Sequence, residues 1–306
     1  MSNFSTLYSC HSPISSNCSS FPEEESQTST VKHKKLVETP FSHCFADSRS
    51  WGRSSMPDLF PYLYLWAVPL GVGIISGARR PKDGSSHQRI FIGDRNGESA
   101  CLSVITNPEG AGPMGPALAH GFSLGIMVAV LGKISGGHFN PAVTLAALAA
   151  GGLSPLLLLP YWLCQLSGGM LGALLAKSMV PEAIFFNRTG GGCMVQDGST
   201  VGMAVCAELT LSFLLLIAVL MGSLAEHSKT PLAPFCIGFA LATGILVSGS
   251  ISGSCLNPAR AFGPALISTH WDNHWVYWIG PLTSAVLASV LYRIVLAGRS
   301  RRLFLK

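Results

Sequence analysis

The chain has 306 residues, and only 11% of them are charged, whereas a soluble domain carries about 25%. Its mean hydropathy is +0.42. Residues 1–106 hold ten basic and nine acidic side chains, and residues 107–292 hold only five basic and six acidic ones. This distribution excludes a water-soluble globule and indicates an integral membrane protein. The chain has no basic patch with interleaved aromatics, so nucleic acid is not expected as a partner.

The first hundred residues are predicted to form a divergent N-terminal region. Residues 1–58 are rich in serine, threonine and charge, and we expect them to be largely disordered. Residues 59–78 form an uncharged run of 20 residues, long enough to span a bilayer, although two prolines and three glycines weaken its helical pattern. Residues 79–100 are polar and charged and are expected to be a loop.

Five later runs are apolar and long enough to cross a membrane. They cover residues 114–132, 155–176, 201–222, 232–250 and 274–296. Two shorter apolar pieces, 140–150 and 257–267, each follow a Gly/Ser-rich stretch and open with Asn-Pro-Ala. Runs of about ten residues beside full spans are typical of re-entrant half-helices.

An internal repeat relates the two short pieces. Residues 121–142 align without a gap to residues 238–259, at an offset of 117, and eleven of the 22 positions are identical. Two halves with matching interrupted segments are typical of inverted-repeat channels and transporters, whose site lies where the repeats meet. Three predicted spans separate the copies, and an odd number places the second copy on the opposite side of the membrane.

The motifs Asn140-Pro141-Ala142 and Asn257-Pro258-Ala259 each predict the start of a short helix. An Asn at an N-cap accepts a helix amide with its side-chain oxygen and leaves its NH2 group to donate. A Pro at the first helical position lacks only a hydrogen that would have no partner there. In an inverted repeat, the positive ends of the two helices would meet in mid-membrane, where a neutral hydroxyl solute can accept from both Asn donors and a cation or proton is repelled.

Three ionisable residues of the predicted membrane region are candidates for a specific role. Arg260 is interpreted as a fixed positive charge at a constriction, with an arginine that reaches the membrane interface as the alternative. His120, in the first clear span, is either a functional residue or a packed histidine. Glu208 is the only carboxylate within a span, and we expect it to accept backbone N–H groups of a re-entrant loop.

Seven strings carry a family resemblance: ALAHG (117–121), ISGGHFNPAV (134–143), LLPYW (158–162), GGMLGALLAK (168–177), PLAPF (231–235), NPARAFGPA (257–265) and HWVYWIGPL (274–282). Together they resemble the aquaporin (major intrinsic protein) family, and within it the aquaporin-8 type. The likeness covers about residues 101–306, which define the second domain.

The resemblance implies an all-α membrane protein with six transmembrane helices and two re-entrant half-helices in an inverted repeat. It implies a pore in each subunit, a homotetramer in the lipid bilayer, and neither a cofactor nor a metal. By position it assigns an aromatic/arginine constriction to His120, Ile245, Ser254 and Arg260, with Ser254 where this subgroup is expected to have glycine. It also places a thiol, Cys255, near the pore mouth, where mercurial block or oxidation could act.

The family pattern fails before Cys101. A first span should end there and carry a pair like Ala207-Glu208, but residues 89–100 read RIFIGDRNGESA, which cannot span. Either 59–78 is a substitute first span with a long outer loop, or the first hundred residues are an alternative or mispredicted exon. The five basic residues of 79–100 favour the second interpretation, because the aquaporin topology puts that segment outside. The first helix is then atypical or missing, and one wall of the pore with it.

The sequence therefore predicts a passive channel for water and small neutral solutes, including hydrogen peroxide and ammonia. An enzyme is not expected, since no nucleophile–base pair or metal-spaced cluster is present. One alternative is a non-conducting or regulatory isoform without the normal first helix. A second is a proton-coupled secondary transporter, for which Glu208 and His120 are too few titratable groups. The plasma membrane is the expected location, with the mitochondrial inner membrane or another organelle as alternatives.

Overall fold

The computed structural model describes residues 62–67, 72–77, 88–92, 96–225, 228 and 230–298. The expected disorder of residues 1–58 and the basic residues from Arg299 onward lie outside this part of the chain.

A three-stranded antiparallel sheet precedes the helical region. Its strands are β1 (Tyr62–Ala67), β2 (Val72–Gly77) and β3 (Gln88–Ile92), in the order β1-β2-β3. Tyr62 pairs with Gly77, which brings together the two ends of the run that could have spanned the membrane. The structure thus replaces the suggested transmembrane helix of 59–78 by a hairpin. Aromatic and β-branched residues favour strands, and prolines and glycines disfavour a helix.

The remaining described residues form helices with short connections. They are α1 (Asn96–Ile105), α2 (Met114–Ser135), α3 (Pro141–Ala149), α4 (Leu158–Met179), α5 (Glu182–Asn187), α6 (Val201–Val219), α7 (Ala233–Ser248), α8 (Pro258–Ser268) and α9 (Val276–Leu291). Turns of 3₁₀-helix occupy Pro155–Leu157 and Thr189–Gly191, and π-helical turns extend α6 to Leu224 and α9 to Leu296.

The predicted all-helical membrane architecture is confirmed for this region. Among the residues that the structure describes, four helices are long and apolar enough to cross a membrane: Met114–Ser135, Pro155–Met179, Val201–Leu224 and Val276–Leu296. The apolar helix α7 is shorter, at 16 residues. Helix α2 continues three residues beyond the predicted end and stops where Gly136 adopts a left-handed φ of +86°.

Helix α1 occupies the place of the first transmembrane helix, but it is too short to span. Its ten residues rise about 15 Å, about half the hydrocarbon thickness of a bilayer. Ala100, Cys101 and Ile105 are buried, and the helix packs against α2 and α4. The expectation of a loop over 79–100 is therefore wrong in part, because β3 and the first half of α1 lie there. The first helix is atypical rather than absent.

The two halves of the helical region pack in the same pattern. Helix α1 contacts α2 and α4, as α6 contacts α7 and α9. Helix α2 packs along α7, and each half-helix packs against the last long helix of the other half: α3 against α9, and α8 against α4. The sequence repeat is therefore also a structural repeat, whose halves interlock.

Equivalent glycines lie where α2 crosses α7. Gly121 and Gly238 are separated by the repeat offset of 117 residues. A Cβ atom on Gly121 would lie 2.6 Å from the carbonyl oxygen of Gly238 and 2.7 Å from the Cβ of Ala242. Only glycine lets the helix backbones approach this closely, as at small-residue interfaces of membrane proteins.

Candidate pore site

Both half-helices begin at an asparagine that caps them. The Oδ1 of Asn140 accepts a hydrogen bond from the N–H of Ala142 at 2.8 Å, and the Oδ1 of Asn257 accepts one from Ala259 at 2.9 Å. Each asparagine has an extended backbone, and proline occupies the first helical position that follows. The two predicted N-termini have the local geometry that Asn-Pro-Ala favours.

The two caps are joined across the repeat interface. The Nδ2 of Asn140 donates to the carbonyl of Leu256 at 2.8 Å, and the Nδ2 of Asn257 donates to the carbonyl of Phe139 at 3.0 Å. The prediction that both NH2 groups are left to a solute is thus incomplete, because one hydrogen of each group is used between the halves. An NH2 group carries a second hydrogen that can still donate.

Left-handed backbone turns set the directions of the Phe139 and Leu256 carbonyls. Phe139 and Leu256 occupy equivalent repeat positions with φ of +49° and +55°. Two residues earlier, Gly137 and Ser254 are also equivalent, with φ of +62° and +48°. Because bulky residues pay about 1–2 kcal/mol to adopt this conformation, its recurrence shows that both halves need the same strained turn.

A cavity of about 700 Å³ contains both asparagines. It extends from His120, past Asn140 and Asn257, to Lys133 and Thr230. The cavity therefore joins the middle of the molecule, where the half-helices meet, to the end of α2 that carries Lys133.

All four predicted constriction residues are buried. His120 lines the cavity together with both asparagines. Ile245, Ser254 and Arg260 do not line that cavity. Ile245 instead packs in the apolar cluster that includes Leu256.

Arg260 is held by a backbone carbonyl rather than by a carboxylate. It is 3% exposed, and its Nη2 donates to the carbonyl of Gly191 at 2.7 Å. Within the described part of the chain, its buried Nη1 has no hydrogen-bond partner, and neither has the buried Oγ of Ser254. The alternative of an arginine that reaches the membrane interface does not fit this buried, anchored side chain. Sequence reasoning missed Gly191, because a carbonyl acceptor has no residue-type signal.

Glu208 is fully buried and accepts three hydrogen bonds from one loop. Its Oε1 accepts from the Oγ of Ser252 and the N–H of Cys255, and its Oε2 accepts from the N–H of Leu256, all at 2.8 Å. The two bonds from backbone N–H groups are the contacts that the sequence predicts for this carboxylate. They tie α6 to the segment that leads into Asn257.

Cys255 is not the free thiol that the sequence predicts. Its Sγ forms a disulfide with Cys193, 62 residues earlier, in the loop between α5 and α6. Cys255 is fully buried and Cys193 is 9% exposed. The spacing of the cysteines gives no sign of this pair, since the partners belong to different loops. Within the described residues, no group of three His, Cys, Asp or Glu side chains could hold a metal ion.

Comparison with known proteins places this geometry in a family. The model of the major intrinsic protein family matches residues 90–292. Aquaporin-8 of Mus musculus is 50% identical over 218 residues, which cover 71% of this chain and 81% of that protein. Aquaporin TIP1-2 of Zea mays is 36% identical over 220 residues, covering 69% of this chain and 83% of its own length.

A solved structure shows the same fold. The X-ray structure of the aquaglyceroporin from Plasmodium falciparum matches with a TM-score of 0.57 and 21% identity, over 66% of this chain and 90% of that one. The family match includes both half-helices, both Asn-Pro-Ala motifs and the short helix α1. The chain therefore belongs to the aquaporin, or major intrinsic protein, family.

Proposed function

We propose that this chain conducts water, hydrogen peroxide and ammonia through a pore formed by the two Asn-Pro-Ala turns and a constriction of His120, Ile245, Ser254 and Arg260. The broader function follows from the family. The chain is an integral, multi-pass membrane protein, a passive channel for water and small solutes, and not an enzyme.

The observation that carries the proposal is the meeting of Asn140 and Asn257 in one cavity. Each side chain is fixed by its own helix and by a carbonyl of the other half. A water molecule that accepts from these amides turns its hydrogens away from both helix ends, which interrupts a chain of hydrogen bonds along the pore. The positive ends of α3 and α8 oppose a cation or a proton at the same point.

The constriction residues favour small solutes with a hydrogen-bond acceptor. The buried Nη1 of Arg260 needs an acceptor, and the Oγ of Ser254 can donate or accept. Water, hydrogen peroxide and ammonia each have a lone pair for these donors. The apolar side chain of Ile245 demands no hydrogen bond, so a solute need not satisfy that wall.

Two supporting roles complete the proposal. Glu208 positions the loop that ends at Asn257, through its three hydrogen bonds. The exposed apolar side chains of α2 recur every four residues, at Leu118, Phe122, Ile126 and Val130, and suit contact with lipid or a neighbouring subunit. We propose a homotetramer, which the family resemblance implies. For its location we propose the plasma membrane, with the mitochondrial inner membrane or another organelle as the alternatives.

The short helix α1 favours a second candidate function. Ten residues cannot cover the length of α2 and α4 that a spanning first helix would cover. A subunit with this gap could lack a sealed pore and regulate full-length subunits by assembling with them.

Reconstitution in liposomes separates the two candidates. We expect osmotic shrinkage and entry of hydrogen peroxide well above those of empty liposomes, without a proton conductance. Arg260→Ala combined with Ile245→His should change the permeability of peroxide relative to water, with Val130→Leu on the outer face of α2 as the control. Permeability equal to that of empty liposomes would favour the non-conducting subunit.

A further inference from the structure

The loop between α5 and α6 lies on the backbone that leads into the second half-helix. The N–H of Gln196 donates to the carbonyl of Ile251 at 3.0 Å. A Cβ on Gly253 would lie 3.0 Å from the backbone nitrogen of Met194. The Cys193–Cys255 disulfide joins the same two segments covalently. Residues 191–196 and 251–255 thus form one packed unit, which we call the double loop.

The double loop carries the acceptor that orients Arg260. Gly191, two residues before Cys193, receives the 2.7 Å hydrogen bond from Nη2. Cys255, five residues before Arg260, anchors the other strand of the double loop. The disulfide therefore limits how far the Gly191 carbonyl can move from Arg260, whose hydrogen bond it accepts.

We propose that the Cys193–Cys255 disulfide is a positioning element of the pore constriction, and that its reduction weakens the discrimination between water and larger polar solutes. The inference rests on the proposed function, because Arg260 must border the pore. The hydrogen bond from Nη2 to Gly191 orients the guanidinium, and it therefore sets the direction in which the partnerless Nη1 points. When the Gly191 carbonyl can move away, the guanidinium gains rotamer freedom and the constriction loses its fixed edge.

Reduction has a simple chemical course with a small dithiol. One thiolate of the dithiol attacks the Sγ of Cys193, the slightly exposed partner, and the S–S bond breaks to release the Cys255 thiolate. The second thiol of the reagent closes a cyclic disulfide and releases Cys193. Two electrons pass from the dithiol to the protein, and both cysteines end as thiols after protonation.

The test uses the full chain in liposomes, with dithiothreitol as the reductant. Peptide mapping without reduction should recover residues 193 and 255 in one cross-linked fragment. Water and urea permeability are then measured before and after reduction. We expect the urea-to-water ratio to rise about threefold to tenfold on reduction, the effect of weakening one hydrogen bond to a charged group. A purely structural disulfide would lower both permeabilities together and leave the ratio unchanged.

Substitutions make the test independent of reagent access. Cys193→Ser should show the raised ratio without dithiothreitol and should not respond to it. The matched control is Cys206→Ser, which removes an exposed free cysteine of α6 and should behave as the unsubstituted chain. In an Arg260→Ala background, Cys193→Ser should change the ratio no further, since the disulfide acts through Arg260.

The outcomes distinguish the inference from the proposed function. If the oxidised chain conducts water but its ratio is the same after reduction and in Cys193→Ser, the positioning role is wrong and the channel function stands. Absence of the cross-linked fragment also overturns it. Water permeability equal to that of empty liposomes, in the oxidised chain, overturns both.

Discussion

At the residue scale, Gly137 and Ser254 offer a matched pair, because the repeat places glycine and serine in the same left-handed turn. Gly137→Ser should lower stability by about 1–2 kcal/mol, the cost of this conformation for a residue with a side chain. Its new Cβ would also lie 3.1 Å from the Cα of Gly132. Thermal unfolding of the detergent-solubilised protein measures the loss.

The reverse substitution, Ser254→Gly, is the control. Glycine removes the backbone strain but adds entropy to the unfolded chain, so the net change should stay below about 1 kcal/mol. Equal losses for the two substitutions would contradict the assignment of strain to this turn.

Residue roles were predictable where the chemistry is local. The capping of α3 by Asn140 and of α8 by Asn257 follows from a side chain and amides two residues away. The partners Gly191 and Cys193 were not predictable, because they lie in another loop, more than 60 residues from the residues they contact. Only the folded chain brings the two loops together.

At the scale of elements, the close crossing of α2 and α7 requires glycine at Gly121, whereas Gly132 of the same helix lies away from the crossing. Gly121→Ala would place a methyl group 2.6 Å from the Gly238 carbonyl, so the helices must separate. We expect a loss of about 1–3 kcal/mol, typical of overpacking. The matched control is Gly132→Ala on the same helix, where the nearest contact is 3.8 Å away.

The control should be neutral or stabilising, since alanine is favoured over glycine in a helix by about 1 kcal/mol. Both variants are compared by thermal unfolding and by recovery from size-exclusion chromatography. If Gly121→Ala is as stable as Gly132→Ala, the close crossing does not hold the two halves together.

The long helices were predictable because each of them coincides with a long apolar run in the sequence. Apolar runs of about 20 residues with at most one charge indicate spans. Five helices were therefore predicted within a few residues: α2, α4, α6, α7 and α9. Helix α1 was missed because its first turns carry Asn96 and Glu98, and its stabilisation comes from packing against α2 and α4. The hairpin of β1 and β2 was missed because length alone does not distinguish a span from two strands.

At the scale of the whole molecule, the two halves have similar backbones, but different side-chain contacts hold the loops before their half-helices. Tyr161 and Tyr277 donate to the carbonyls of the equivalent residues Ser135 and Ser252 at 2.6 and 2.9 Å. The second loop is further tied by Glu208 and by the disulfide. At the repeat offset, the first half has His138 instead of Cys255, and His138 contacts the Oγ1 of Thr144 at 3.2 Å and stacks on Tyr161. The two extra ties are in the second half, whereas the short helix α1 is in the first half.

The asymmetry predicts a difference in local opening. Amides of residues 252–256 should exchange hydrogen with solvent at least about tenfold more slowly than amides of residues 135–139, the effect of one charge-assisted hydrogen bond. Hydrogen exchange of the full chain in detergent, followed by mass spectrometry, resolves the two loops. Glu208→Gln under reducing conditions should bring the rates closer together, because the substitution replaces the charged acceptor by an amide and the reduction opens the disulfide. Glu109→Gln, at the exposed ion pair with Arg188, should not change the difference. Similar exchange rates of the two loops in the unsubstituted chain would contradict the prediction. They would mean that the first loop is held as strongly as the second, and that the short α1 does not destabilise its half.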